Sequence, residues 1–356
     1  MYETMQLCVG CKACRRECPT GVDMNRMKTE FLYHYNKENG ISFREKLFSY
    51  LPRYAHILTK FGKIINLRDE IPGLSLISEK ILGISSKRKL PKWDENPFSE
   101  KEASLTKSGS EVVLFADSFN TYFEPNILRD ALLLLENAGK KVLIPSFKND
   151  RKKLCCGRTF LSSGLIDEAK IEAEILLENL YEYVERGIPI VGLEPSCIFT
   201  IKDEFSALIP GEKSKKLAQH VQLLEEYFFE EIKAHRLKIK KKKIGSQKVI
   251  IHGHCHQKAF DSLDVTVKLL KSIEDVEVDV ISSSCCGMAG SFGYQSENYE
   301  VSMKMAELSL LPRIRNENEN VIITASGTSC RQQINHGTDR TVIHPVSLLL
   351  ELCSLV

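Results

Sequence analysis

The sequence predicts an α/β protein in which a small helical domain built around a cysteine loop precedes two copies of one parallel α/β unit. Three observations carry that prediction. The chain opens with Cys8-Val-Gly-Cys11-Lys-Ala-Cys14-Arg-Arg-Glu-Cys18-Pro19. Apolar strand-like runs then alternate with amphipathic helical stretches. The order of those elements, with a Cys-Cys-Gly tripeptide inside it, is written twice about 130 residues apart.

The cysteine loop comes first. Two-residue gaps let one short loop present successive thiolates to the corners of a cubane, so Cys8, Cys11, Cys14 and Cys18 read as ligands of a [4Fe-4S] cluster. A zinc knuckle or a set of structural cysteines is the alternative, although zinc sites usually draw two well-separated pairs. Where two such clusters share a protein, the fourth cysteine of a motif serves the other one. With one motif present, Cys18 either completes the cluster begun by Cys8, Cys11 and Cys14 or reaches one whose other ligands lie on another polypeptide. The chain thus reads as though a segment preceded it. Lys12, Arg15 and Arg16 lie inside the loop and are expected to offset thiolate charge and guide an electron partner.

Residues 1–41 form this cluster domain, with a helix starting at Asp23 and ending before Gly40. Residues 42–109 are basic, aromatic and broken by Pro52, Pro72, Pro91 and Pro97, which predicts short helices in an irregular connector; Trp93 is expected to anchor it on the next domain. The first unit, 110–235, reads as a strand at 111–116, a helix at 125–139, a strand at 141–145, Cys155-Cys156-Gly157, a long helix through Tyr183, a strand at 189–193 and Cys197. The second, 236–356, repeats this with a strand at 248–252, a helix at 263–273, a strand at 276–281, Cys285-Cys286-Gly287, a helix at 298–310, a strand at 321–325 and Cys330. The stretch 221–232 reads as a core helix, and Cys353 as core in an apolar helix.

Parallel α/β layers gather ligands at the carboxyl ends of their strands, where every motif cysteine of the repeats falls. Aligning Val112-Val-Leu-Phe-Ala-Asp-Ser118 with Val249-Ile-Ile-His-Gly-His-Cys255 places Ser118 opposite a thiol. The second unit thus offers Cys255, Cys285, Cys286 and Cys330 for a metal site, a redox dithiol or packed structural thiols. The first unit, with Cys155, Cys156 and Cys197, is expected to be a degenerate structural copy in which Asp117 could supply an oxygen. His252, His254 and His256 are candidates for metal binding or proton relay. The glycines of Gly287-Met-Ala-Gly290-Ser-Phe-Gly293 are expected to let backbone amides approach sulfur.

The chain has 356 residues, 43% hydrophobic and 27% charged, and a formal charge of +2. That balance excludes a global field for nucleic acid, and no apolar run is long enough to span a bilayer. Twelve cysteines without an export signal predict metal or thiol chemistry in a reducing, cytoplasmic setting, peripheral to a membrane through a partner if at all. The basic run 236–243 is expected to be a solvated linker.

Together the cluster loop and the paired Cys-Cys-Gly units resemble the iron-sulfur portion of FAD-linked D-2-hydroxyacid dehydrogenases, the group of the glycolate oxidase iron-sulfur subunit and of D-lactate and D-2-hydroxyglutarate dehydrogenases with a ferredoxin-like region. The Cys-Cys-Gly units are also similar to the Cys-Cys-Gly-bearing subunit of heterodisulfide reductase. The resemblance spans nearly the whole chain. It implies a ferredoxin-like [4Fe-4S] domain held by Cys8, Cys11, Cys14 and Cys18, and a second cluster or thiol site at Cys255, Cys285, Cys286 and Cys330. It also implies FAD on a dehydrogenase partner and electrons passed from flavin to an acceptor such as a quinone. One ferredoxin motif instead of two, and Ser118, are its departures. A thiol-disulfide or heterodisulfide-type reductase acting at Cys285-Cys286, and a non-catalytic iron-sulfur binding or assembly protein, are the other readings.

Overall fold

The computed structural model describes residues 1–105, 109–145, 154–242 and 245–356. Behind the cysteine loop, the helix Met24–Asn39 starts where Asp23 accepts hydrogen bonds from the amides of Asn25 (3.0 Å) and Arg26 (3.2 Å), and it ends at Gly40 with φ of +77°. Four further helices follow, Phe43–Ser49, Leu51–Leu58, Gly62–Glu70 and Leu74–Leu82. The first of these is closed by a Ser42/Glu45 capping box. Trp93 anchors this connector as the sequence predicts, its ring 4.6 Å from that of Phe123 in a cluster with Ala55 and Tyr122.

The duplicated units are two four-stranded, wholly parallel sheets of identical order. In the first, β1 (Ser110–Phe115) lies between β2 (Lys140–Leu143) and β3 (Ile190–Gly192), with β4 (Val221–Leu223) beyond β3. In the second, β6 (Gln247–Ile251) lies between β7 (Val276–Val280) and β8 (Ile322–Thr324), with β9 (Val342–Ile343) beyond β8. β1 and β6 are buried runs covered on both faces, which is why they read as continuous apolar text. Between the units, β5 (Ile239–Lys241) pairs antiparallel with β10 (Cys353–Leu355).

Three expectations are corrected. The stretch read as one core helix over 221–232 is the short strand β4 followed by the helix Leu224–Lys233, the switch fixed by a hydrogen bond from the Leu223 amide to Glu226 (2.8 Å). Cys353 is buried core, but it opens β10, where its thiol donates to Leu349 O (3.2 Å). The basic run is only partly a linker: β5 lies within it, Arg236 pairs with Glu231 and Lys241 with Asp275, and Lys243 falls outside the described residues.

The two units exchange helices. Leu224–Lys233, which ends the first, packs on Leu263–Lys271 of the second, while Pro345–Leu352, which ends the second, packs on Pro125–Asn137 of the first. One core therefore joins Val112, Leu128, Phe228, Val249, Leu269 and Leu349. Phe228→Ala is expected to cost about 3–5 kcal/mol, because the cavity opens where both units meet. A single cooperative transition in urea, shifted to lower concentration, checks this. No helix among the described residues is long and apolar enough to cross a membrane.

Candidate metal centre

The second sheet brings its four thiols together at its carboxyl edge. Cys255 opens the helix Cys255–Ala259 after β6, Cys285 and Cys286 follow β7, and Cys330 lies in the helix Thr328–Gly337 after β8. The thiols form one contact chain, Cys255 to Cys285, Cys285 to Cys286, Cys286 to Cys330. Cys285, Cys286 and Cys330 are buried and Cys255 is half-buried. Contact with the Cys285 thiol, then burial, pushes Cys255 well above the usual thiol range. In Cys286 and Cys330 one neighbouring thiol eases ionisation, yet burial and the remaining thiols leave both raised. Four adjoining sulfurs, three of them on buried residues, cannot all become thiolates without a cation among them, and a metal centre reverses that balance.

His252 belongs to this site. Its Nδ1 shares a hydrogen bond with Ser283 Oγ (2.9 Å). Its Nε2 is buried without a partner among the described residues, and a ring nitrogen of His252 lies within 4.8 Å of the Cys286 and Cys330 sulfurs. The donor set, thiols with an orphaned imidazole nitrogen, is the soft set that holds iron-sulfur clusters or zinc. The other two histidines do different work. His254 caps the helix, its Nδ1 accepting from the His256 amide (3.2 Å), and burial pulls it down to about 4, so it is neutral near pH 7. His256 donates from Nε2 to Gly10 O (3.2 Å) and is also kept neutral, chiefly by burial.

That last bond is part of a seam. The cysteine loop docks between the two units, with Arg16 donating to Lys258 O (3.0 Å) on one side. On the other, the buried Lys12, at a left-handed φ of +59°, meets Asp203 (2.5 Å), Asp23 (3.2 Å) and Glu204. Arg26 bonds Glu204 (3.0 Å), and Arg15 pairs with Asp203 while lying 4.7 Å above the ring of Phe260. Where the sequence predicts that Lys12 and Arg15 offset thiolate charge, they instead clamp the loop to carboxylates of the first unit. Asp203 is held below its ordinary value because these cations outweigh the upward push of burial.

Within the loop, the Met24 amide donates to Cys14 Sγ (3.3 Å), and Lys28 donates to Cys8 O (2.6 Å). Burial raises Cys11, the Ala13 amide opposes it, and the Cys255, Cys8 and Cys14 thiols add smaller upward pushes. Cys18 is held differently. The Thr20 hydroxyl (3.1 Å), then the amides of Val22 and Thr20, lower its value.

The first unit carries the same frame with a different content. Cys155, Cys156 and Cys197 form a thiol chain, and Ser118 stands where Cys255 stands, its buried hydroxyl without a partner among the described residues. Asp117 is spoken for: its carboxylate caps the next helix through the amides of Phe119 and Asn120 (both 3.0 Å) and takes the Asn120 side chain (2.7 Å). It is therefore not a free oxygen donor, and burial, then Glu194, push it up to about 6. The cavity lined by Ser118, Cys155, Cys156, Cys197 and Arg158 is about 10 Å³, about the room that one water takes.

The glycine of each tripeptide has one explanation. Gly157 and Gly287 take φ of +77° and +83°, which aims their amides at Cys155 Sγ (3.3 Å) and Cys285 Sγ (3.4 Å). Gly290 differs from expectation, its amide going to Ser329 Oγ (3.2 Å) and not to sulfur.

Two cations at the centre escaped sequence reasoning. The Lys258 ammonium donates to Ser284 O (2.9 Å) and lies close enough to Cys330, Cys255, Cys285 and Cys286 for them to oppose the downward pull of burial. Arg158, from the first unit, eases ionisation of Cys255. Both follow a motif cysteine by two or three positions, a spacing that carries no signal of its own. Glu194 joins the units by accepting from the Thr328 amide (2.9 Å).

Comparison with known proteins agrees with this geometry. The cysteine-rich domain family matches residues 249–335, the span that contains Cys255, Cys285, Cys286 and Cys330. One subunit of the anaerobic glycerol-3-phosphate dehydrogenase of Escherichia coli (strain K12) is 26% identical over 316 residues, covering 87% of this chain and 77% of that protein. The D-2-hydroxyglutarate dehydrogenase of the same strain is 24% identical over 364 residues, 98% of this chain but 34% of that protein, so the chain spans about a third of it. A Bacillus subtilis (strain 168) protein named "probable glycolate oxidase iron-sulfur subunit" is 24% identical over 383 residues, 98% of this chain and 82% of that one. Residues 249–335 thus match the cysteine-rich domain family, and the chain over most of its length is similar to these dehydrogenase and iron-sulfur proteins.

Proposed function

We propose that this chain is the iron-sulfur electron-transfer subunit or segment of an FAD-dependent dehydrogenase acting on D-2-hydroxyacids of the glycolate, D-lactate or 2-hydroxyglutarate type. The flavin belongs to a partner. The acceptor is a quinone or similar carrier, and the setting is cytoplasmic, at the membrane periphery. The observation that carries the reading is the seam, where His256 bonds Gly10 O (3.2 Å) and Arg16 bonds Lys258 O (3.0 Å), so that the cysteine loop lies against the unit that holds the second cysteine set. Cys8, Cys11, Cys14 and Cys18 would hold a [4Fe-4S] cluster in a ferredoxin-like loop, and Cys255, Cys285, Cys286 and Cys330 a second iron-sulfur cluster. Such clusters, when bound, take up and release single electrons.

The chain's own residues tune that chemistry. Amides of Met24 and Gly287 aimed at Cys14 and Cys285 sulfurs favour the more reduced, more negative state. Lys258 and Arg158 add positive charge beside the second set, and the clamp through Lys12 fixes the loop against it. Burial of Cys285 and Cys286, 6% and 4% exposed, counts against a dithiol that meets a disulfide substrate.

The test is reversible redox cycling of the anaerobically purified chain. It should bleach with dithionite, recover with a water-soluble quinone, and oxidise no hydroxyacid until a flavoprotein is added. Hydroxyacid oxidation by the chain alone, or absence of a reversible chromophore, would contradict the proposal.

A further inference from the structure

The connector helices turn apolar side chains outward. On Gly62–Glu70 and the residues flanking it, Phe61, Ile64 and Ile71 recur at three and seven positions, so they share one face; all three are exposed, Ile64 to 67%. On Leu74–Leu82 the exposed face is Leu76, Ile77 and Ile81, the last 74% exposed, and this helix has no buried residue. The two helices pack on each other, so their apolar faces form one surface, which Ile57 on the preceding helix extends. A soluble monomer seldom leaves such a patch uncovered.

Charge identifies what covers it. Segment 43–93 holds eleven Lys and Arg against four Asp and Glu, a net +7; the whole chain is +2, so the remainder carries −5. Seven of those eleven are exposed lysines; Lys63, Lys87 and Lys92 pair with Glu95, Glu300 and Glu70, while Lys60 and Lys80 stand beside the apolar face. Aliphatic and phenyl side chains flanked by lysines, in a segment of net +7 on a chain whose remainder sums to −5, match an anionic lipid surface: the lysines meet headgroups and the apolar face enters the acyl boundary.

We propose that this helical face, centred on Ile64, Ile77 and Ile81, seats the chain on anionic membrane. The inference gives a surface to the peripheral location suggested above and does not depend on the electron-transfer reading.

The test is co-sedimentation of the anaerobically purified chain with vesicles of equal phosphatidylcholine and phosphatidylglycerol, against phosphatidylcholine alone. The chain should pellet with the first, little with the second, and less as salt is raised. Ile64→Glu with Ile77→Glu should lower the bound fraction about tenfold or more. Lys60→Glu with Lys80→Glu should abolish the preference for anionic vesicles. Both changes lie on exposed positions, so iron content and circular dichroism should stay as in the wild type, which separates loss of the surface from loss of the fold. Equal pelleting of wild type and the Ile64/Ile77 variant would overturn the proposal. So would a wild type that stays in the supernatant, whether as a dimer closed over this face or as a monomer that a flavoprotein covers.

Discussion

Lys12→Met is expected to release the cysteine loop from the seam and to lower the stability of the folded chain by about 3–5 kcal/mol. The ammonium is 2% exposed and meets Asp203, Asp23 and Glu204 at once. Removing it leaves these carboxylates with Arg15 and Arg26 as their remaining cationic partners among the described residues. Methionine keeps the stem length, so the loss is of charge and not of packing. The same clamp sets a pH dependence. Asp203 is depressed in the folded state, so its contribution is complete above the unfolded value, near 3.9 by ordinary carboxylate behaviour, and drains away as pH falls through the lower folded value. Wild type should therefore lose stability at acid pH more steeply than Lys12→Met. Urea unfolding at neutral and acid pH measures both, and equal midpoints for the two proteins would remove the clamp from the account.

Gly287→Ala should be the most damaging single methyl addition in the second unit. At φ of +83° an L side chain is strained by about 1–2 kcal/mol. The new Cβ would also lie 2.3 Å from Ser302 O, backbone of the following helix, which must shift at a further cost of about 1–3 kcal/mol. The shift turns the amide away from Cys285 Sγ, so the redox midpoint of the second site should move as well as the stability. Gly290→Ala is the control: its φ of +64° brings the same strain, but nothing lies within 4 Å of the added carbon and its amide serves Ser329. Potentiometric titration should show a shift for the first variant and none for the second.

Much of this was legible in the sequence where the information is local. Two-residue cysteine gaps and a repeated order of elements need no tertiary context, and they placed the loop, both sheets and the convergence of Cys255, Cys285, Cys286 and Cys330. The fourth strand of each sheet was not legible. β4 and β9 have three and two residues and run into helices almost at once, too short for alternation to register. The exchange of terminal helices between units was hidden for the opposite reason, since an amphipathic helix states that it packs and not on what. Lys12 looked like a countercharge for thiolates because its true partner Asp203 is 191 residues away. His254 was legible in principle: the alignment that set Ser118 opposite Cys255 also sets Asp117 opposite His254, and Asp117 is an ordinary helix cap. His252, by contrast, lies at the end of β6, where only the fold brings a ring nitrogen near Cys286 and Cys330.

The central claim is that both cysteine sets hold iron. Iron and acid-labile sulfide per chain, measured after anaerobic purification alongside low-temperature EPR of the reduced protein, test it most directly when the Cys285→Ser, Cys286→Ser variant is run beside the wild type. The account predicts about eight irons, falling to about four with one EPR signal lost. About four in both proteins, with identical spectra, would confine the metal to the loop at Cys8 to Cys18 and reduce the second unit to a scaffold of packed thiols.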